Sequence, residues 1–255
     1  MPAKGRERAD QLLVARGLCP TRAQAQALIF AGRVYVGEQR VEKAGVRLPL
    51  DAALVVREGD RYVSRGGQKL EGALAALGVD VAGLTCADIG ASTGGFTDCL
   101  LQRGAEKVFA VDVGHGLLAD RLRRDSRVVV MERTNARNLT LEQLGQPVDL
   151  VVVDASFIGL NKLLAAIAGI LRATGRLLAL VKPQFEAGRE EARRGRGVIR
   201  DPEVREAAIH TVRVAFREHG FRIAGEHDST LRGKKGNLER FLLAERAQST
   251  STQTS

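Results

Sequence analysis

The stretch "TCADIGASTGGFTDCLL", Thr85 to Leu101, runs a short apolar segment into a glycine-rich turn and then into a helical pattern. In a doubly wound α/β sheet, a nucleotide-type ligand is expected at the crevice beside such a turn. Further along, "KVFAVDV", "RVVVME", "DLVVVDAS" and "RLLALVK" repeat the apolar segment with helical stretches between them. Their near-continuous apolar character argues a parallel sheet covered on both faces. The last pair, "FRIAGEHDS" and "ERFLLAE", lies only about ten residues apart, too close for a crossover helix, and should be antiparallel. The expected class is α/β: a Rossmann-like sheet, mostly parallel, with an antiparallel last strand.

The turn itself, Asp88-Ile89-Gly90-Ala91-Ser92-Thr93-Gly94-Gly95-Phe96, narrows the ligand. It is not GxGxxG, because Ser92 replaces the second glycine, and not GxxxxGK[ST], because no lysine follows. A diphosphate needs close, unobstructed amides at a helix N-terminus. This turn is less open, and acidic Asp88 lies beside it. Small residues at an acidic strand end better suit a ligand whose amino-acid part is cationic, such as S-adenosylmethionine. Asp112 ends the second strand, 22 residues after Gly90, where a carboxylate can accept hydrogen bonds from a ribose. Asp88, Gly90, Ser92, Thr93, Gly94, Phe96 and Asp112 are the candidate cofactor contacts, with NAD as the competing ligand.

Four charged positions stand out beyond the turn. In "LLALVKPQFEAG", Leu177 to Gly188, Lys182 ends an apolar strand just before a proline. An ammonium held against a core must find carboxylates or lose its proton. Asp154 ends the strand "VDLVVV", Glu239 begins the last strand, and Lys69 lies in the first turn of the helix "QKLEGALAALG". Strand C-termini converge on one edge of a parallel sheet, so Asp154 and Lys182 should meet near the cofactor. An ion-pair network at a sheet edge accounts for any one pair. Four ionisable groups at one edge suggest function, because buried pairs often add little stability.

The N-terminal residues, 5 to about 57, read as two short helices followed by short strands. Thr21 and Gln24 form a capping box for "RAQAQALIFA", Gly32 ends that helix, and "RVYVGEQRV" alternates around Gly37 as a small hairpin does. Arg16, Arg22, Arg33 and Arg40 punctuate these elements, either as solvated surface or as an RNA footprint.

Taken alone, such charges read as solvated surface. Lys and Arg number 39 against 30 Asp and Glu, a net charge of +9, so nucleic acid is the first partner to consider and an acidic membrane the second. Aromatics are 4% and Trp is absent, which disfavours rows of stacked bases. Three cysteines without CxxC suggest a reducing compartment, and the histidines at 115, 210, 219 and 227 lack metal-site spacing, so no metal is expected. The N-terminus carries no secretion-signal pattern, and "LLAAIAGIL" (163–171) is about half a bilayer span. A soluble, cytoplasmic protein is expected.

The stretch "TRAQAQALIFAGRVYVGEQRV" resembles the small RNA-binding domain first described in ribosomal protein S-four. Beyond it, "SRGGQKL", "DIGASTGGFTD", "AVDVGHGLL", "ERTNARNL", "VDLVVVDASFI", "LVKPQFEAG" and "GNLERFLL" resemble the TlyA family of ribosomal RNA 2′-O-methyltransferases. That family is often labelled haemolysin and carries an FtsJ-like catalytic domain. The match runs from about residue 4 to 245. It implies a class I methyltransferase sheet behind a small α+β RNA-binding domain, with S-adenosylmethionine as cofactor. Its Lys-Asp-Lys-Glu tetrad falls on Lys69, Asp154, Lys182 and Glu239. It also implies adenine and ribose contacts that include Asp112 and Asn135, with Asp154 beside the cofactor. Expected partners are ribosomal RNA and ribosomal subunits, met as a monomer, with Arg16, Arg22, Arg33, Arg40 and Arg65 on the RNA. Members of the family modify cytidine in small-subunit RNA, large-subunit RNA or both.

In-line methyl transfer to a 2′-hydroxyl needs an alkoxide-like nucleophile, so a lysine base would need its pKa lowered from about 10.4 to roughly 7–8. Burial, the second cation at Lys69 and a nearby helix N-terminus push that way, whereas Asp154 and Glu239 push against it. Methylation of a base nitrogen predicts Asp/Asn-Pro-Pro-aromatic where Asp154-Ala155-Ser156-Phe157 stands. Methylation of cytosine carbon needs a nucleophilic cysteine, and Cys86 and Cys99 read as packing. A pore-forming toxin lacks any supporting segment, and a ribosome-binding factor with an inert fold conflicts with the intact tetrad. The domain reading is 1–60 for RNA binding, a linker over 61–67 within "EGDRYVSRGG" (58–67), 68–245 for catalysis, and a disordered tail over 246–255.

Overall fold

The computed structural model describes residues 5–57, 61–156, 158–188, 191, 193, 195–233 and 235–247. The chain divides after Arg61. The first unit contains β1 (Arg6–Arg8), α1 (Ala9–Ala15), α2 (Arg22–Phe30), β2 (Val34–Val36), β3 (Gln39–Arg40), β4 (Arg47–Pro49) and β5 (Leu54–Val56). Thr21 Oγ1 accepts the Gln24 N–H at 3.2 Å, so α2 keeps the Thr21 half of the expected capping box. The full reciprocal box lies later, at Thr140 and Gln143. After α2, the Gly32 and Arg33 N–H groups donate back to Ile29 and Leu28 carbonyls, which ends the helix there. β2 and β3 pair across Gly37, as the alternation predicts, and β5 completes a sheet of order β3-β2-β5. Leu12, Leu13, Ala25, Ile29, Val34 and Leu54 form the core.

The second unit adds α3 (Arg65–Ala76), β6 (Thr85–Ile89), α4 (Gly95–Gln102), β7 (Lys107–Val111), α5 (Asp120–Arg123), β8 (Val128–Met131), α6 (Leu141–Leu144), β9 (Val148–Val153), α7 (Leu164–Ile170), β10 (Leu171–Val181), α8 (Pro183–Glu186), α9 (Pro202–Glu218), β11 (Phe221–Asp228) and β12 (Arg240–Arg246). Its sheet has seven strands in the order β11-β12-β10-β9-β6-β7-β8. β6 to β10 pair in parallel, and β12 inserts antiparallel between β10 and β11. Successive strand residues face opposite layers. Ala87, Phe109, Val151 and Ala179 pack under α7 and α9, while Cys86, Val108, Val152 and Leu178 pack under α3 and α4. Both faces are therefore covered, which is why these strands read as unbroken apolar runs.

The linker drawn over 61–67 does not fit. Tyr62 is buried in the second core, Ser64 caps α3 by accepting the Gly66 N–H at 3.3 Å, and Arg65 already belongs to the helix. Residues 58–60 lie outside the described residues, as does the tail from 248 onward. Arg246 still pairs in β12, and the Ala247 N–H donates to Gly220, so the expected tail began too early. Among the described residues, no helix is long and apolar enough to cross a membrane.

Candidate active site

The site forms where β6, β9 and β10 end. β6 runs into Gly90, whose φ of +85° favours glycine. A Cβ there would stand 3.0 Å from the Asp154 carbonyl oxygen and 3.1 Å from Ala155, so the turn lies directly on the end of β9. The Asp154 N–H also donates to the Ile89 carbonyl at 3.0 Å.

From β10, Lys182 Nζ reaches back to Asp154. It lies 2.6 Å from Asp154 Oδ1, an ion-pair contact outside hydrogen-bonding angles. It donates to the Asp154 carbonyl at 3.1 Å and to Ser156 Oγ at 2.8 Å. Lys69, the fifth residue of α3 and so in its second turn rather than the expected first, donates to Glu239 Oε2 at 2.5 Å. The antiparallel register aligns Val181 with Arg240, so the next opposed positions are Lys182 and Glu239. The fold thus brings Lys69, Asp154, Lys182 and Glu239 to one sheet edge as two ammonium–carboxylate pairs, with both lysines 8% exposed and Glu239 3%. Ser156 was missed in the sequence. Its only signal is its place two residues after Asp154, and its partner depends on β10 arriving from elsewhere.

The turn residues separate into an open group and a buried group. Ser92 and Thr93 are exposed. The Ser92 N–H donates to Asp112 Oδ2 at 2.9 Å, and the Gly114 N–H donates to Asp112 Oδ1 at 2.7 Å, which holds the half-buried Asp112 carboxylate beside the turn. Asn135 is exposed, with its Oδ1 accepting the Arg137 N–H at 3.1 Å. Asp88 and Phe96 sit behind the turn instead. Phe96 stacks on Phe241 with ring centroids 6.0 Å apart, inside the core. Asp88 is fully buried: one oxygen accepts Thr97 N–H at 2.8 Å and Thr97 Oγ1–H at 2.7 Å, and the other has no protein partner. Burial pushes its carboxyl up to about 7. Neither side chain reaches the surface of the turn, so neither is a direct contact for a ligand there. Cys86 and Cys99 are buried, and burial pushes the Cys86 thiol up to about 12, unlike an activated nucleophile.

In the first unit, Arg22 Nε pairs with Asp10 at 2.8 Å, and Arg8 and Gln26 bind the same carboxylate at 3.0 Å. These partners hold Asp10 well below the usual carboxylate range. Arg16 donates to the Leu50 and Ala52 carbonyls, and Arg33 donates to the Arg57 carbonyl at 3.2 Å. Arg40 and Arg65 are exposed. Three of the five arginines chosen from sequence therefore also hold the fold.

Residues 62–247 match the model of the FtsJ-like methyltransferase family, and residues 7–54 match the S4 domain. The chain is 48% identical over 239 residues to the 16S/23S rRNA (cytidine-2′-O)-methyltransferase TlyA of Mycobacterium tuberculosis, covering 93% of this chain and 89% of that protein. A solved Streptococcus thermophilus protein carrying a hemolysin label is 41% identical, with a TM-score of 0.73 over 97% of this chain and 90% of that one. An S-adenosylmethionine dependent methyltransferase from Mesorhizobium loti, 17% identical, shares the sheet fold with a TM-score of 0.52 over 69% of this chain and 96% of that one. An S4 domain ahead of a seven-stranded sheet with these two lysine–carboxylate pairs completes the pattern: the chain belongs to the TlyA family of FtsJ-like methyltransferases.

Proposed function

We propose that this chain transfers a methyl group from S-adenosylmethionine to a ribose 2′-hydroxyl of ribosomal RNA, at cytidine in 16S and/or 23S RNA, acting as a monomer in the cytoplasm. The observation that carries this reading is the meeting of the Lys182–Asp154 and Lys69–Glu239 pairs at the edge occupied by the Gly90 turn. The substrate class is drawn from the name of the Mycobacterium tuberculosis relative.

The residues suit the cofactor. Buried Asp88 stands behind the turn with one oxygen unpartnered, and a cationic amino-acid moiety bound there would favour its ionised form. Asp112 uses one bond per oxygen on backbone amides, leaving lone pairs for ribose hydroxyls. Gly90, Ser92, Thr93, Gly94 and Asn135 would complete the contact. When bound, S-adenosylmethionine supplies an electrophilic methyl group.

Lys182 is the proposed base. As a neutral amine, its Nζ takes the proton of the 2′-hydroxyl and becomes an ammonium. Asp154 Oδ1, the Asp154 carbonyl and Ser156 Oγ are already placed to hold that ammonium. Lys69, held by Glu239, lies at the same edge. Residues 1–61, with Arg16, Arg22, Arg33 and Arg40, capture RNA, while 62–247 carry catalysis and Arg65 adds a contact.

Calorimetry should show S-adenosylmethionine binding, weakened by roughly 1–3 kcal/mol in Asp112→Ala through unpaired ribose hydroxyls. Tighter binding of NAD would overturn the cofactor. Mapping of 2′-O-methylation on ribosomal RNA from a deletion strain, before and after complementation, should restore specific cytidine marks. Complementation without any restored mark would overturn the activity.

A further inference from the structure

Glu132 follows β8 and belongs to none of the groups assigned above, yet it is the most heavily engaged carboxylate near the cofactor turn. Its Oε1 accepts the Leu117 N–H at 3.2 Å, the Leu118 N–H at 3.5 Å and an Arg123 guanidinium N–H at 2.6 Å. Oε2 lies 3.1 Å from His115 Nδ1. Two successive backbone amides therefore turn inward onto one protein carboxylate. These amides belong to the segment from Val113 to Ala119, which begins immediately after Asp112.

That segment has two further attachments. At its start, the Gly114 N–H donates to Asp112, and the Gly114 carbonyl accepts from Arg133 at 3.0 Å. At its end, the Ala119 N–H donates to the Thr93 carbonyl at 3.2 Å, and buried Leu118 lies under the glycine turn. Gly94, at φ +94°, leaves so little room there that a Cβ would come within 2.7 Å of Leu118 Cδ1. The segment thus bridges Asp112 and the Ser92–Gly94 turn, and its fold depends on a hydrogen-bond acceptor at its centre. Glu132 Oε1 is that acceptor.

We propose that Glu132 is a positioning residue for the adenosine half of the cofactor site, acting through the 113–119 segment on Asp112 and on the glycine turn. The proposal rests on the methyltransferase reading above. Without the carboxylate, two amides and Arg123 lose their acceptor, the segment opens, and both supports of the site shift. Lys182, Asp154, Lys69 and Glu239 share none of these bonds, so the chemical step is left in place.

The test uses the full chain. Glu132→Ala should raise both Kd and KM for S-adenosylmethionine by about tenfold while kcat at saturating cofactor stays within about twofold. In the free protein, hydrogen exchange at Leu117 and Leu118 should be slow in the parent and fast in this variant. Glu132→Gln keeps an oxygen acceptor for the amides and should stay within about threefold of the parent. An alanine variant with unchanged cofactor affinity, or with kcat falling as much as KM rises, would overturn the proposal. If Glu132→Ala does not fold, a tenfold loss of affinity in a folded Glu132→Gln would overturn it equally. A parent that binds no S-adenosylmethionine would instead remove the cofactor reading, with the exchange result still deciding whether Glu132 folds the segment.

Discussion

Lys182 has three oxygens around one nitrogen, two accepting hydrogen bonds and one paired by charge, a set that suits the ammonium formed after proton abstraction. Arginine keeps the charge but holds its proton to a pKa above about 12, so it cannot serve as a base. Lys182→Arg and Lys182→Ala should therefore both lose about 10²–10⁴-fold in single-turnover rate, with cofactor binding retained. An arginine variant keeping more than about a tenth of the rate would leave Lys182 as a positioning charge. Asp88 gives a pH signature. Its carboxyl moves from 3.8 to about 7 on burial. Below the lower value both folded and unfolded chains hold the proton, and no difference arises. Between the two values only the unfolded chain releases it, so stability falls as pH rises through that window. Asp88→Asn, which keeps an oxygen for Thr97, should flatten the fall in Tm over that range, and equal slopes in both proteins would remove Asp88 as its cause. The four charged positions were legible because each adjoins an apolar run or opens a helix. Ser156 and Glu132 were not, because their partners come from distant strands and loops.

At the scale of elements, the five central strands were legible because burial on both faces leaves only apolar side chains to choose from. The start of α3 was not. "SRGG" has the composition of a loop, but Ser64 caps the helix and Tyr62 fills the core beneath it, and neither role has a local sequence signature. A structural role of the first unit's arginines was hidden for a related reason. Asp10, at the start of α1, gathers Arg8, Arg22 and Gln26 onto one covered carboxylate, so a residue that looked like free surface joins α1 to α2. Asp10→Ala should destabilise this unit by roughly 1–3 kcal/mol. Thermal melting together with hydrogen exchange in α1 and α2 would detect it. Unchanged exchange there would mean that the ion pairs are replaced by water at no cost, as exposed pairs often are.

For the whole molecule, division after Arg61 implies separable tasks. Removing residues 1–61 should abolish modification of ribosomal substrates while leaving S-adenosylmethionine affinity nearly unchanged, and RNA affinity of the full chain should fall linearly with the logarithm of salt. Full-rate modification by the truncated protein would refute that division. The reversed strand β12 carries a different consequence, for the order in which the molecule is made. Glu239 meets Lys69 across 170 positions, and β11 reaches the sheet only through β12. During synthesis, β6 to β10 can align early, but β10 keeps an open edge and Lys69 lacks its carboxylate until residues 240–246 have emerged. Such distant pairing is slow and leaves an unpaired edge exposed meanwhile. A nascent chain halted before Glu239 would therefore hold the glycine turn and three of the four charged groups, be prone to edge-to-edge association, and have no complete catalytic site. Full activity would date from the closing of a single late strand.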